Sequence, residues 1–168
     1  MLSHLRRESM PLLKHQTLVS DDPWVQLETF SGVSDQFIVV PLAQLLELAS
    51  FAQPKARLGV KLSSDESMED LVRYLPQVAL IEIHFEALRD GRGFSFARLL
   101  RRQGFEGELR ASGEVSRDRL DYLHRCGFDS VQLSEPLTAE QAQQAYQEIT
   151  VHYQADARNE QPIYRQTP

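Results

Sequence analysis

Between residues 58 and 149 the apolar residues switch period four times over, each time from the spacing of a strand to that of a helix. Leu58-Gly59-Val60-Lys61-Leu62 alternates, and Met68, Leu71, Val72 and Leu75 follow at helical intervals as far as Pro76. Val78 to Phe85 is nearly continuous and apolar at its start, as buried parallel strands are. Phe96, Leu99 and Leu100 continue it as a helix ending at Gly104, a residue type suited to a left-handed cap. Glu108 to Ser112 and Phe128 to Leu133 read as two further strands. A helix is predicted from Ser116 to Gly127, and another after Thr138, whose spacing to Gln141 is a capping box. Ser63 and Glu66 show the same spacing before the first helix.

The four units, 58–76, 78–104, 108–127 and 128–149, predict an α/β fold in which consecutive βα units form a parallel sheet with right-handed crossovers. Two architectures fit: half of an eight-fold β/α barrel with short N-terminal strands beside it, or an open doubly wound sheet. The units run in order with no reversal, which favours the half barrel. Upstream, Leu12 to Val19 and Gln36 to Val40 read as short strands, Trp24 as a packing anchor, and Pro41 as the opening of a helix with Leu42, Leu45, Leu46 and Ala49 on one face. One α/β domain is expected over residues 1–153, and an aperiodic, mobile tail over 154–168.

Composition narrows the function classes. The 168 residues are 42% hydrophobic and 25% charged, enough for one domain with its own core. A single cysteine excludes a disulfide framework and cysteine-based zinc sites. The five histidines show no metal spacing, so no metal is expected. No apolar run reaches the ~20 residues of a membrane span, and residues 1–10 lack the apolar stretch of a secretory signal, so the cytoplasm is the expected compartment. A net charge of −6 argues against a nucleic-acid binder. A half barrel leaves apolar edges, which favours a homodimer.

Ligands of parallel α/β folds bind beyond the carboxyl ends of the strands. Arg89 to Arg125 holds nine arginines, six acids and no lysine. Arginine suits oxyanions. Two turns there combine glycine with arginine. Asp90-Gly91-Arg92-Gly93 offers a flexible backbone before a helix, but Phe96 stands where a dinucleotide fingerprint has its third glycine. Arg110, on a strand leading to Gly113, Glu114, Arg117 and Asp118, is either buried in an ion pair that holds the turn or an oxyanion ligand. Lys61 and Glu82 or Glu86 can join it from neighbouring strand ends. The candidate ligand-binding set is therefore Lys61, Asp90, Gly91, Arg92, Gly93, Arg110, Gly113, Glu114, Arg117 and Asp118. His84 reads as a satisfied core or edge histidine and Cys126 as a packing residue. No serine sits in a nucleophile elbow, and no cofactor is implied.

Several segments resemble one bacterial family. They are Leu58 to Leu62, Leu80-Ile81-Glu82-Ile83, Asp90 to Arg101, Gly107 to Val115, Arg117-Asp118-Arg119-Leu120 and Arg125-Cys126-Gly127-Phe128-Asp129. The family is that of bacterial domain of unknown function 934, and the likeness runs from about Trp24 to Glu135. Its members are often labelled oxidoreductases, and their genes commonly lie beside those for assimilatory sulfite reductase and adenylylsulfate reductase. The resemblance supplies no catalytic residue. It implies an accessory protein of assimilatory sulfate or sulfite reduction, with one of those two enzymes as partner and a small oxyanion as ligand. The alternative is an oxidoreductase or other enzyme acting on a sulfur oxyanion or nucleotide.

Overall fold

A computed structural model describes residues 11–29, 35–47, 57–159, 161, 162 and 165. A hairpin of β1 (Leu12–Lys14) and β2 (Thr17–Val19) comes first, then β3 (Trp24–Gln26), β4 (Phe37–Pro41) and α1 (Leu42–Glu47). The four units follow as β5 (Leu58–Ser63) with α2 (Met68–Val72), β6 (Leu80–Phe85) with α3 (Arg92–Arg102), β7 (Glu108–Gly113) with α4 (Leu120–Cys126), and β8 (Ser130–Gln132) with α5 (Ala139–Gln147). Ala49, the last position of the stripe expected after Pro41, and residues 1–10 lie outside the described residues.

The strand order is β2-β1-β8-β7-β6-β5-β4-β3. Strands β3 to β8 are parallel and neighbour one another in chain order. A doubly wound sheet needs a reversal of that order, so the half barrel is the architecture adopted. The sheet is nevertheless mixed, which corrects the expectation of a parallel one. Leu12 to Val19 is not a single strand. His15 and Gln16 take φ of 47° and 66° and fold it into a hairpin, whose first arm then pairs antiparallel with β8. Positive φ at both central residues is the geometry of a tight hairpin turn, normally announced by Asn-Gly or Asp-Gly. His-Gln gives no such signal.

The sheet curls. Eight strands laid flat would span about 33 Å. Yet β2 and β3, at its two ends, are joined by Ser20 to Pro23 alone, and the five backbone steps from Val19 to Trp24 reach at most about 18 Å. The two ends must come round towards each other, and the connection crosses the inner face. Asp22 accordingly pairs with Arg110 of β7, and Gln26 with Glu82 of β6.

The outer face carries the core. Val60, Leu62, Ile81, Ile83, Leu109, Ala111 and Val131 point to the helices and meet Leu71, Ala97, Leu100, Leu120, Leu123, Ala142 and Ala145. Val115 and Leu120, at hydrophobic-staple spacing, are both buried there. The Thr138–Gln141 capping box forms, and Gly104 and Gly127 take φ of 84° and 106° at their helix ends. Ser63 is the last residue of β5, and its N–H donates to Glu66 at 2.7 Å, but α2 starts only after Ser67. Residues 154–159, expected to begin a tail, lie against the end of α4. Asp156 pairs with Arg125 at 3.1 Å, and Arg158 donates to the Phe128 carbonyl at 2.7 Å. No helix among the described residues is long and apolar enough to cross a membrane.

Candidate functional site

Alternate residues of a strand share a face, and the register of the curled sheet sorts its inner residues into rows. Lys61, Glu82, Arg110, Ser130 and Lys14 stand side by side on five neighbouring strands. One step nearer the carboxyl ends come Ser63, His84 and Ser112. Above them opens a cleft of about 500 Å³, whose walls include Lys61, Glu82, His84, Arg110, Ser112, Gly113, Glu114 and, from the crossing segment, Asp22, Trp24 and Gln26. The volume suits a small molecule.

Two buried polar clusters form its floor. In the first, Glu82 is 1% exposed. Gln26 Nε2 donates to both of its oxygens, at 3.1 and 2.9 Å, and Ser112 Oγ donates to Oε1 at 2.7 Å. Lys61 Nζ stands 4.0 Å from the same oxygen. His84 Nδ1 is 3.1 Å from Ser112 Oγ, so carboxylate, hydroxyl and imidazole form one chain. In the second, Arg110 is 3% exposed and forks onto Asp22 at 2.6 and 3.0 Å while holding Glu108 at 2.9 Å. Lys14 and Ser130 each reach Glu108 at 2.6 Å. Burial pushes the Glu108 carboxyl up, but the hydrogen bonds from Lys14 and Ser130 and the charge of Arg110 outweigh it and hold the group below its ordinary range. Burial likewise pulls Arg110 down, and Asp22 and Glu108 more than reverse it.

Of the ten candidate residues, the cleft gathers Lys61, Arg110, Gly113 and Glu114. Gly113 has φ of 86°, and a Cβ on it would collide with the Phe85 carbonyl, so the bend at the end of β7 requires glycine. Asp90, Gly91, Arg92 and Gly93 stand apart at the start of α3. Asp90 pairs with Arg92 at 2.9 Å and also accepts from Ser64. The hydrogen bonds from Arg92 and then Ser64 hold the Asp90 carboxyl far below the usual carboxylate range. Neither glycine supplies the unusual backbone expected of a ligand loop. Gly91 has φ of −92°, and Gly93 is helical and packed on Phe85. Arg117 pairs with Glu148, and Asp118 accepts from Ser116, both in the turn before α4. Arg92 and Arg117 thus do not line the cleft with Arg110, and each of the three guanidiniums is held by a carboxylate. The arginine-rich segment serves structure elsewhere too: Arg101 ties the carbonyls of Phe105, Gly107 and Gly127 to Asp129.

Ser112, His84, Gln26 and Asp22 line the cleft but lie outside the set expected from the sequence. The first two carried a usable signal: Glu82 and His84, like Arg110 and Ser112, are polar residues at i and i+2 flanked by apolar neighbours, so each pair faces one side of the sheet. Gln26 and Asp22 carried none, since only the curl brings them to the floor. Among the described residues no group of three or more His, Cys, Asp or Glu is arranged to hold a metal ion. Cys126 is buried at the end of α4, and burial pushes its thiol up.

The family model described as "Bacterial protein of unknown function (DUF934)" matches residues 59–164. The chain belongs to this family. The DUF934 match spans all four βα units and takes in Lys61, Glu82, His84, Arg110 and Ser112. No curated protein matches the chain.

Proposed function

We propose that this protein is an accessory factor of assimilatory sulfate or sulfite reduction and that its strand-end cleft binds a small oxyanion. The sulfur context rests on the family resemblance, and the oxyanion on the charge layout of the cleft. Asp22 and Arg110 neutralise each other, and Glu82, hydrogen-bonded by Gln26 and Ser112, has Lys61 as its countercharge at 4.0 Å. Lys61, whose side chain keeps 32% of its surface, is the cleft cation in reach of a ligand. That one ammonium is the observation that carries the reading, with His84 beside it as a hydrogen-bonding partner. One accessible cation among carboxylates, counted over the described residues, fits a small oxyanion better than a polyphosphate.

A ligand that binds the native state raises stability by RT ln(1 + [L]/Kd). Thermal unfolding is therefore expected to shift upward with sulfite, sulfate, phosphate or adenylylsulfate, and the shift is expected to vanish in Lys61→Met. If none of the four anions moves the transition, oxyanion binding is wrong. Native pull-downs are expected to recover sulfite reductase or adenylylsulfate reductase, and recovery of neither removes the accessory role. The second reading is an enzyme acting on a sulfur oxyanion or nucleotide. The Glu82–Ser112–His84 chain favours it, because a histidine oriented through a buried carboxylate is equipped to move protons.

A further inference from the structure

We infer that His84 Nε2 is a proton acceptor for a ligand O–H or S–H group in this cleft, and that Glu82 and Ser112 are the positioning residues that keep its lone pair there. The inference deepens the cleft reading above and rests on it for the ligand's location. Donors surround Glu82. Gln26 Nε2 and Ser112 Oγ both aim hydrogens at its oxygens, and Lys61 Nζ approaches the same side. That surrounding suits a carboxylate, which only accepts. The Ser112 proton is thus committed to Glu82, and its oxygen has only lone pairs left for His84. Nδ1 must then carry the hydrogen and donate across the 3.1 Å contact. In a neutral imidazole the other nitrogen is left bare.

The ring that carries it is open to the cleft. His84 keeps 26% of its side-chain surface and lines the cleft with Lys61. When a ligand X–H lies against Nε2, the X–H bond breaks, its electron pair stays on X, and an Nε2–H bond forms. The imidazolium is stabilised by Glu82 through Ser112 and by Glu86, whose Oε2 is 4.0 Å from Nε2. Lys61, which lines the same cleft, is the cation available to negative charge developing on X. The reverse transfer returns the proton. The other charged groups facing the ring's surroundings are Glu114, Asp22 and Arg110, and the last two are paired with each other. A small hydroxyl- or thiol-bearing molecule is the class of ligand this arrangement handles.

The test is long-range proton–nitrogen NMR on the full chain with labelled histidine, at a pH where the ring is neutral. His84 is expected as the Nδ1–H form with Nε2 bare, and Ser112→Ala is expected to move it towards the Nε2–H form. Carbethoxylation of His84 by diethyl pyrocarbonate, mapped by mass spectrometry, is expected to slow several-fold in that variant. An Nε2–H form in the wild type overturns the inference whether or not the variant folds, and so does a tautomer indifferent to Ser112→Ala. Neither readout needs an added anion, so failure of the relay and failure of oxyanion binding are separate results.

Discussion

Gly91 and Gly93 look equivalent in the sequence and do different work in the fold. A Cβ at Gly93 would lie 2.6 Å from Cζ of Phe85, a ring already packed against Phe94 and Phe128. At Gly91 a Cβ would meet nothing within 4 Å, and its φ of −92° suits any residue. Gly93→Ala is expected to lower stability by about 1–3 kcal/mol through overpacking, while Gly91→Ala is expected to be neutral or to stabilise by up to about 1 kcal/mol. Urea unfolding of the two variants decides it, and equal effects would show that α3 does not press on β6 as described. The glycine–arginine wording was readable as a turn. Its purpose was not, because the need for glycine at position 93 comes from a phenyl ring eight residues away. His84 shows the same limit from the other side. Its place on the inner face follows from alternation with Ile83 and Phe85, but its partner Ser112 is fixed only by the register of β6 with β7.

At the scale of the element, β7 is a strand whose inner face depends on charge. Arg110→Met would leave Glu108, 10% exposed, and Asp22 without the cation between them. Breaking a buried pair from one side costs about 3 kcal/mol or more. This variant is therefore expected to be strongly destabilised at neutral pH, which makes Lys61 the cleaner probe of ligand binding. The pH dependence has a definite sign. Glu108 and Asp90 are held below their ordinary values of 4.5 and 3.8, so the folded state binds fewer protons there than the unfolded chain does. Their stabilisation is present above those ordinary values and is lost as the pH falls through the lowered ones. Stability measured by denaturant unfolding should decline on the acid side of pH 4.5, less steeply in Arg110→Met, and an acid limb of identical slope would remove Arg110 from the account. Elements with local signals were readable: the alternation of β5, the capping box of α5 and the glycine stops of α3 and α4. The hairpin and β3 were not. Three residues are too few to show a period, and the pairing of β1 with β8 joins residues far apart along the chain.

For the whole molecule, the curl of the sheet sets what the inner face can be. A four-residue connection between its two ends draws Asp22 and Gln26 over a floor that would otherwise be open. Among the described residues the sheet ends at β2 and β3, and β3 carries Val25 at 39% exposure. Strand ends of this kind invite pairing with another chain. Sedimentation velocity over a wide concentration range is expected to show a homodimer, and a monomer throughout would remove self-association from the proposal. The sequence by itself determined the four βα units and their succession along the chain. Those follow from local periodicity. Only the tertiary structure decided which guanidiniums are spent on neighbouring carboxylates and which polar side chains share the cleft. Ion pairing and hydrogen bonding at 3 Å depend on register and curvature, and those are set by contacts between residues as distant in sequence as Asp22 and Arg110.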